Sequence, residues 1–252
     1  MKWARINKLL VSLHSIMAND YFEFKHFIVR QDRCAMKVGT DGTLLGAWAQ
    51  APEKACRILD IGTGTGLIAL MMAQRFPEAH VFAVEIDEEA CEQARGNVME
   101  SPFSERISIL NQDVTTLTDA EGFDAIVCNP PYFVDSLPCP DEQRRTARHA
   151  VTLTYEELIH MACKLLKEDG LLSVVIPSES RQAFEACARL DGLFISRVFM
   201  IKTTPKNAPK RQLIEFKKTP VDKLIMEEGV LEIAPNQRSK WYQELTKNFY
   251  IR

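Results

Sequence analysis

The tightest constraint on this chain is a short apolar run that breaks on alternating glycines. Arg57–Ile61 (RILDI) leads into Gly62-Thr63-Gly64-Thr65-Gly66, and then Leu67-Ile68 and Leu70-Met71-Met72 recur at helical spacing until Pro77. Strand, glycine turn and helix in that order predict the first half of a βαβ unit. The alternation continues. His80–Val84 reads as a second strand and Asp87–Met99 as a second helix, with Asp87, Glu88 and Glu89 in its first turn as the helix dipole prefers. Arg106–Leu110 and Phe123–Cys128 are further strands. Beyond a polar stretch come a helix (Tyr155–Lys167), a strand (Leu171–Ile176), a helix (Glu179–Arg189) and a strand (Leu193–Ile201). Gln212–Phe216 is expected to pair antiparallel with that last strand across a Pro- and Lys-rich loop. The expected fold class is therefore α/β, with a mostly parallel seven-stranded sheet, helices on both faces and an antiparallel last strand.

At 252 residues, 46% of them apolar, the chain suits one large domain, and no internal repeat or low-complexity linker divides it. We expect residues 1–21 to be an N-terminal extension, with Met17 as the functional start, and residues 22–252 to be the single domain. Lys2, Arg5 and Lys8 before Leu9–Leu13 imitate a signal peptide, but His14 interrupts the apolar run and no cleavage site follows. No stretch approaches the roughly 18 apolar residues of a membrane helix. The seven cysteines are scattered and never spaced Cys-x-x-Cys, so they read as reduced thiols of a cytoplasmic protein, with no metal site and no disulfide framework.

Ligands of such sheets bind at the carboxyl ends of the strands, where the glycine turn lies. Glycine at positions 62, 64 and 66 permits positive φ and close backbone approach. The spacing departs from the Gly-x-Gly-x-x-Gly dinucleotide fingerprint, and Asp60 sits just before it. A carboxylate there repels a pyrophosphate but suits the ammonium and hydroxyls of a nucleoside carrying an amino acid. Glu85, beside Ile86, ends the second strand, where a carboxylate can accept both ribose hydroxyls. Asp113, beside Val114, follows the third strand and is placed to hold an adenine amino group. Each has a plainer role: turn cap, solvated rim, turn residue. Their occurrence at three successive strand ends favours a shared ligand.

These residues resemble the Rossmann-like S-adenosylmethionine-dependent methyltransferases, and the fourth strand narrows the class because it ends in Asn129-Pro130-Pro131-Tyr132. In amino-methyltransferases with this motif the target is a planar nitrogen whose lone pair is delocalised. The resemblance implies catalysis by two acceptors, the Asn129 side-chain oxygen and the Pro130 carbonyl, aimed at that nitrogen's hydrogens. Pro131 stiffens the loop, and Tyr132 offers a face for stacking a base. Upstream, Asp32-Arg33-Cys34-Ala35-Met36 and Lys37-Val38-Gly39-Thr40-Asp41 lead into Gly42–Trp48; they are similar to the signature of the bacterial tRNA1(Val) (adenine(37)-N6)-methyltransferase family. The resemblance runs from about Phe22 to the carboxyl terminus. It implies that Lys37, Gly39, Thr40 and Asp41 form a lid over the methionine end of S-adenosylmethionine, and that Asn129 also borders this cofactor. The alternative is a loop into a helix Thr43–Gln50 with Asp41 as its N-cap.

The implied partner is the anticodon loop of valine tRNA, and charge bears on it. The formal total is only −3, yet Pro52–Glu142 holds 17 acidic and 5 basic residues, net −12, leaving +9 elsewhere. The basic flanks supply candidate RNA contacts: Lys25 and Arg33 near the lid, Arg144, Arg145 and Arg148 after the motif, and Lys206, Lys210 and Arg211 near the last strand. The expected activity is a transferase reaction of tRNA modification, giving N6-methyladenosine next to the anticodon, by a monomer. Alternatives are a protein-glutamine N-methyltransferase, an rRNA amino-methyltransferase, or a non-catalytic RNA-binding module.

Overall fold

The computed structural model describes residues 20–34, 36–131 and 153–251. Strand β3 (Arg57–Ile61) lies at the middle of an eight-stranded sheet, because all but its first residue are buried and it is covered on both faces. It is flanked in parallel by β4 (His80–Glu85) and β6 (Phe123–Cys128). Outside β4 lies β5 (Ile107–Asn111), and outside β6 lies β7 (Leu166–Pro177). Strand β9 (Arg211–Lys217) runs antiparallel between β7 and β8 (Phe194–Lys202), as the sequence led us to expect.

The sheet has one strand more than expected. Strand β10 (Ile225–Val230) pairs in parallel with β8 at the edge. Its sequence, IMEEGV, lacks apolar alternation because its first four residues face solvent, and two adjacent glutamates suit an edge that must not recruit further strands. Strand β7 also begins five residues before Leu171. The polar Lys167-Glu168-Asp169 hid this extension, whereas Leu166 pairs with Phe123 across an irregular register.

Helix α1 (Thr40–Trp48) and helix α2 (Leu67–Arg75) pack together on one face, with the hairpin of β1 (Tyr21–Glu23) and β2 (Ile28–Arg30). Helix α3 (Glu88–Met99) lies over β4 and β5, its N-terminus capped by Asp87, whose side chain accepts from Ala90 N–H at 2.8 Å. Helix α4 (Tyr155–Leu165) and helix α5 (Arg181–Leu190) cover the opposite face around Phe184 and Phe216. Thr154 and Glu157 close a reciprocal capping box at the start of α4. A small ribbon of β11 (Glu232–Ala234) and β12 (Gln237–Arg238) leads to α6 (Lys240–Thr246), whose Trp241 stacks on Phe199 at 4.5 Å. Among the described residues no helix is long and apolar enough to cross a membrane.

Candidate active site

Parallel order brings the carboxyl ends of β3, β4 and β6 together. Ile61 pairs with Val84 on one side and with Cys128 on the other, so Gly62, Glu85 and Asn129 are the next residues of three adjacent strands. Strand spacing of about 4.8 Å puts their backbones within reach of a single ligand.

The glycine turn is built as its spacing implies. Gly62, Gly64 and Gly66 have φ of 68°, 57° and 82°, the region where side chains are strained. Gly62 and Thr63 donate to the carbonyl of Val84 at 2.9 and 3.1 Å, tying the turn to β4. A Cβ on Gly62 would meet no described atom within 4 Å, and one on Gly64 only Cys34 Sγ, at 3.6 Å, so these two glycines face open space, whereas one on Gly66 would meet Ala94 Cβ at 3.4 Å.

Asp60 is fully buried. One carboxylate oxygen accepts from the Thr63 hydroxyl at 2.6 Å and from Ala69 N–H at 3.1 Å, which holds the first turn of α2. The capping role leaves the second oxygen open to a ligand, because it has no hydrogen-bond partner among the described residues. Burial pushes the carboxyl up to about 7; the Thr63 and Ala69 hydrogen bonds oppose this and the Glu85 charge adds to it. Glu85 is pinned: one oxygen accepts from Gly64 N–H at 2.8 Å, the other from the N–H groups of Ile86 and Asp87 at 3.0 Å each. A carboxylate has about four acceptor sites, so one remains for a hydroxyl. Ile86 is about half exposed, an apolar surface beside that carboxylate. Asp113 caps a short 3-10 turn by accepting from Thr115 N–H at 2.8 Å, and Val114 is buried beneath it.

Helix α1 begins at Thr40, three residues before the alternative Thr43 start, and Gly39 is its N-cap with no side-chain bond. Asp41 is turned instead to Arg211, whose Nε donates to it at 3.0 Å. One lid candidate thus meets one RNA candidate. Lys37 is exposed. The segment before the helix is fixed by glutamines that the sequence did not single out. Gln31 accepts from Val38 N–H and Gln93 accepts from Arg33 N–H, each at 2.7 Å. Asn97 clamps the same region, bonding both backbone groups of Arg30 and the carbonyl of Thr65. A buried glutamine has no local signature in one sequence, which is why these were missed.

At the end of β6, Asn129 Oδ1 is shielded from solvent and has no hydrogen-bond partner among the described residues, while Nδ2 points to Met36 Sδ at 3.8 Å. Pro130 is buried and Pro131 exposed. Tyr132, Arg144, Arg145 and Arg148 lie outside the described residues. Lys206 and Lys210 are exposed and make no ion pair among the described residues, whereas Lys202 pairs with Glu228 and Lys218 with Glu168. Lys25 donates to the carbonyl of Lys247 and shares a cavity with Gln74 and Arg75. These end α2, so Lys25 lies about 13 Å of helix away from the glycine turn, not at the lid. Arg33 lines a separate cavity with Arg30 and Gln93.

The donor set fits the S-adenosylmethionine that the resemblance implies: an unsatisfied buried carboxylate oxygen for an ammonium, a pinned carboxylate for a ribose, and open space before positive-φ glycines. A family model described as Methyltransferase small domain matches residues 39–199. The tRNA1(Val) (adenine(37)-N6)-methyltransferase of Bacteroides thetaiotaomicron is 49% identical over 236 residues, covering 93% of this chain and 99% of that protein. Its counterpart from Phocaeicola vulgatus is 50% identical over 235 residues, covering 93% and 99%. Among solved structures, a predicted O-methyltransferase from Agrobacterium tumefaciens matches with a TM-score of 0.64 at 24% identity over 83% of this chain and 96% of that one, a likeness of fold. The chain belongs to the tRNA1(Val) (adenine(37)-N6)-methyltransferase family.

Proposed function

We propose that this protein transfers a methyl group from S-adenosylmethionine to the exocyclic amino nitrogen of the adenosine next to the anticodon of valine tRNA. The observation that carries the reading is the Asn129 carbonyl oxygen, buried and unpartnered among the described residues at the end of β6, one strand from the glycine turn. A buried acceptor left without a donor is costly, and a target amino group would satisfy it.

S-adenosylmethionine supplies, when bound, a methyl group on a positively charged sulfur. The chain's own residues do the rest. Asp60 and the turn Gly62–Gly66 receive the amino-acid end, Glu85 the ribose, and Ile86, Asp113 and Val114 the base. Lys37, Gly39, Thr40 and Asp41 close over the methionine end. Asn129 Oδ1 and the Pro130 carbonyl accept from the target N–H groups, drawing the nitrogen lone pair out of the ring and fixing its direction. Pro131 limits the backbone freedom of that loop, and Tyr132 stacks on the extruded adenine. No residue needs to remove a proton before attack, because the amino proton becomes acidic only after transfer.

Lys206, Lys210, Arg211 and Arg33, with Arg144, Arg145 and Arg148, are the groups we assign to tRNA phosphates. Lys25 is a contact only for a tRNA that reaches the far end of α2. We take residues 22–252 as one methyltransferase domain, acting as a monomer in the cytoplasm. Incubation with methyl-labelled S-adenosylmethionine, total tRNA and total protein, followed by nucleoside and peptide analysis, tests the reading. Label is expected in N6-methyladenosine; label in a peptide glutamine would replace this reading by the protein-methylating one.

A further inference from the structure

Resting on the function proposed above, we infer that Met36 is a positioning residue for methyl transfer, which sets the atom of the Asn129 amide that faces the target amine. Met36 is a large apolar residue, yet about half of it is exposed. It touches Asn129 from 93 positions away: the Asn129 Nδ2 donates to its sulfur at 3.8 Å. The opposite atom of the same amide, Oδ1, is shielded and has no partner among the described residues.

A planar amide carries its donor and its acceptor on opposite sides of one carbon, so holding the nitrogen decides where the oxygen points. A thioether sulfur accepts weakly and has no hydrogen to donate. It therefore favours the amide with NH2 toward residue 36 and gives nothing to the flipped form. In that flipped form the NH2 would confront the N–H groups of the target, donor against donor, and no lone pair would be drawn out. The backbone is anchored at residues 33 and 38, on either side of Met36, because Arg33 N–H and Val38 N–H are bonded by Gln93 and Gln31, which are 7% and 5% exposed. Met36 thus acts through Asn129, without itself needing to touch the nucleotide.

The test replaces Met36 by leucine, which keeps size and apolarity but removes the acceptor. Single-turnover methylation of tRNA is measured at saturating cofactor and tRNA, with both binding constants determined separately. The expected result for Met36→Leu is a rate about three- to tenfold lower, the range of one weak hydrogen bond, with both affinities unchanged. Asn129→Asp has no N–H to offer the sulfur, so adding Met36→Leu to it is expected to change nothing further. A wild-type rate in Met36→Leu, or an equal loss on adding Met36→Leu to the wild type and to the Asn129→Asp variant, would overturn the inference. A readout independent of tRNA is the side-chain amide resonance of Asn129 in the free protein, expected to move in Met36→Leu. If it moves while the wild-type protein leaves tRNA unmethylated, the proposed function fails and the Met36 contact stands; if it does not move, the contact fails.

Discussion

Asp60→Asn offers the sharpest quantitative prediction, because the fold buries a carboxylate that it only half satisfies. The carboxyl is raised from the ordinary aspartate value of 3.8 to about 7, chiefly by burial. A folded value above the unfolded one means that the native state prefers the neutral acid. Its contribution to stability is complete below about pH 3.8, falls by about 1.4 kcal/mol per pH unit while only the native state binds the proton, and is gone above about pH 7. Over the whole range this amounts to about 4 kcal/mol, of which about 2 kcal/mol lies between pH 5 and pH 7, since the native carboxyl is half ionised at the upper limit. Asparagine retains an acceptor for Thr63 and Ala69 N–H but never ionises. Urea unfolding of both proteins without cofactor, at pH 5, 6, 7 and 8 and constant ionic strength, reads the difference. Asp60→Asn is expected to gain on the wild type by about 2 kcal/mol from pH 5 to pH 7 and to level off by pH 8, while binding S-adenosylmethionine more weakly. A stability gap independent of pH would refute the reasoning that Asp60 is neutral in the cofactor-free fold.

Three further outcomes follow from the same geometry. Asn129→Ala deletes an acceptor that has no partner among the described residues, so turnover is expected to fall about 10²- to 10³-fold with cofactor affinity nearly intact, checked by single-turnover rates and calorimetry. Lys206→Ala with Lys210→Ala removes two exposed cations; tRNA affinity is expected to weaken and the slope of log affinity against log salt to flatten by roughly one per lost contact, an unchanged slope counting against them. Asn97→Ala strips three hydrogen bonds from a fully buried clamp between β2, the glycine turn and α3, which is expected to cost about 3 kcal/mol in denaturant unfolding.

The sequence was most legible where local chemistry and global fold agree. Gly62, Gly64 and Gly66 announce their positive φ, and the apolar runs of β3, β4 and β6 announce a sheet buried on both faces. Legibility failed where tertiary contact decides. Strand β10 is held by pairing with β8, against its own polar composition. Lys25 reads as a basic residue near the lid, but the hairpin turn between β1 and β2 carries it to the carboxyl end of α2. Asp41 and Arg211 are 170 positions apart, and no spacing rule could join them. Gln31, Gln93 and Met36 act through side-chain hydrogen bonds to loop or strand-end groups, which leave no periodicity to read.

The most direct measurement uses unmodified tRNA1(Val) transcripts carrying either adenosine or guanosine at position 37, incubated with the protein and methyl-labelled S-adenosylmethionine, then digested and mapped by mass spectrometry. Label is expected only in the adenosine transcript, only at position 37, and only as N6-methyladenosine. Label of both transcripts, or at another nucleotide, would contradict the assignment of Asn129 and Pro130 to the amino group of that adenosine.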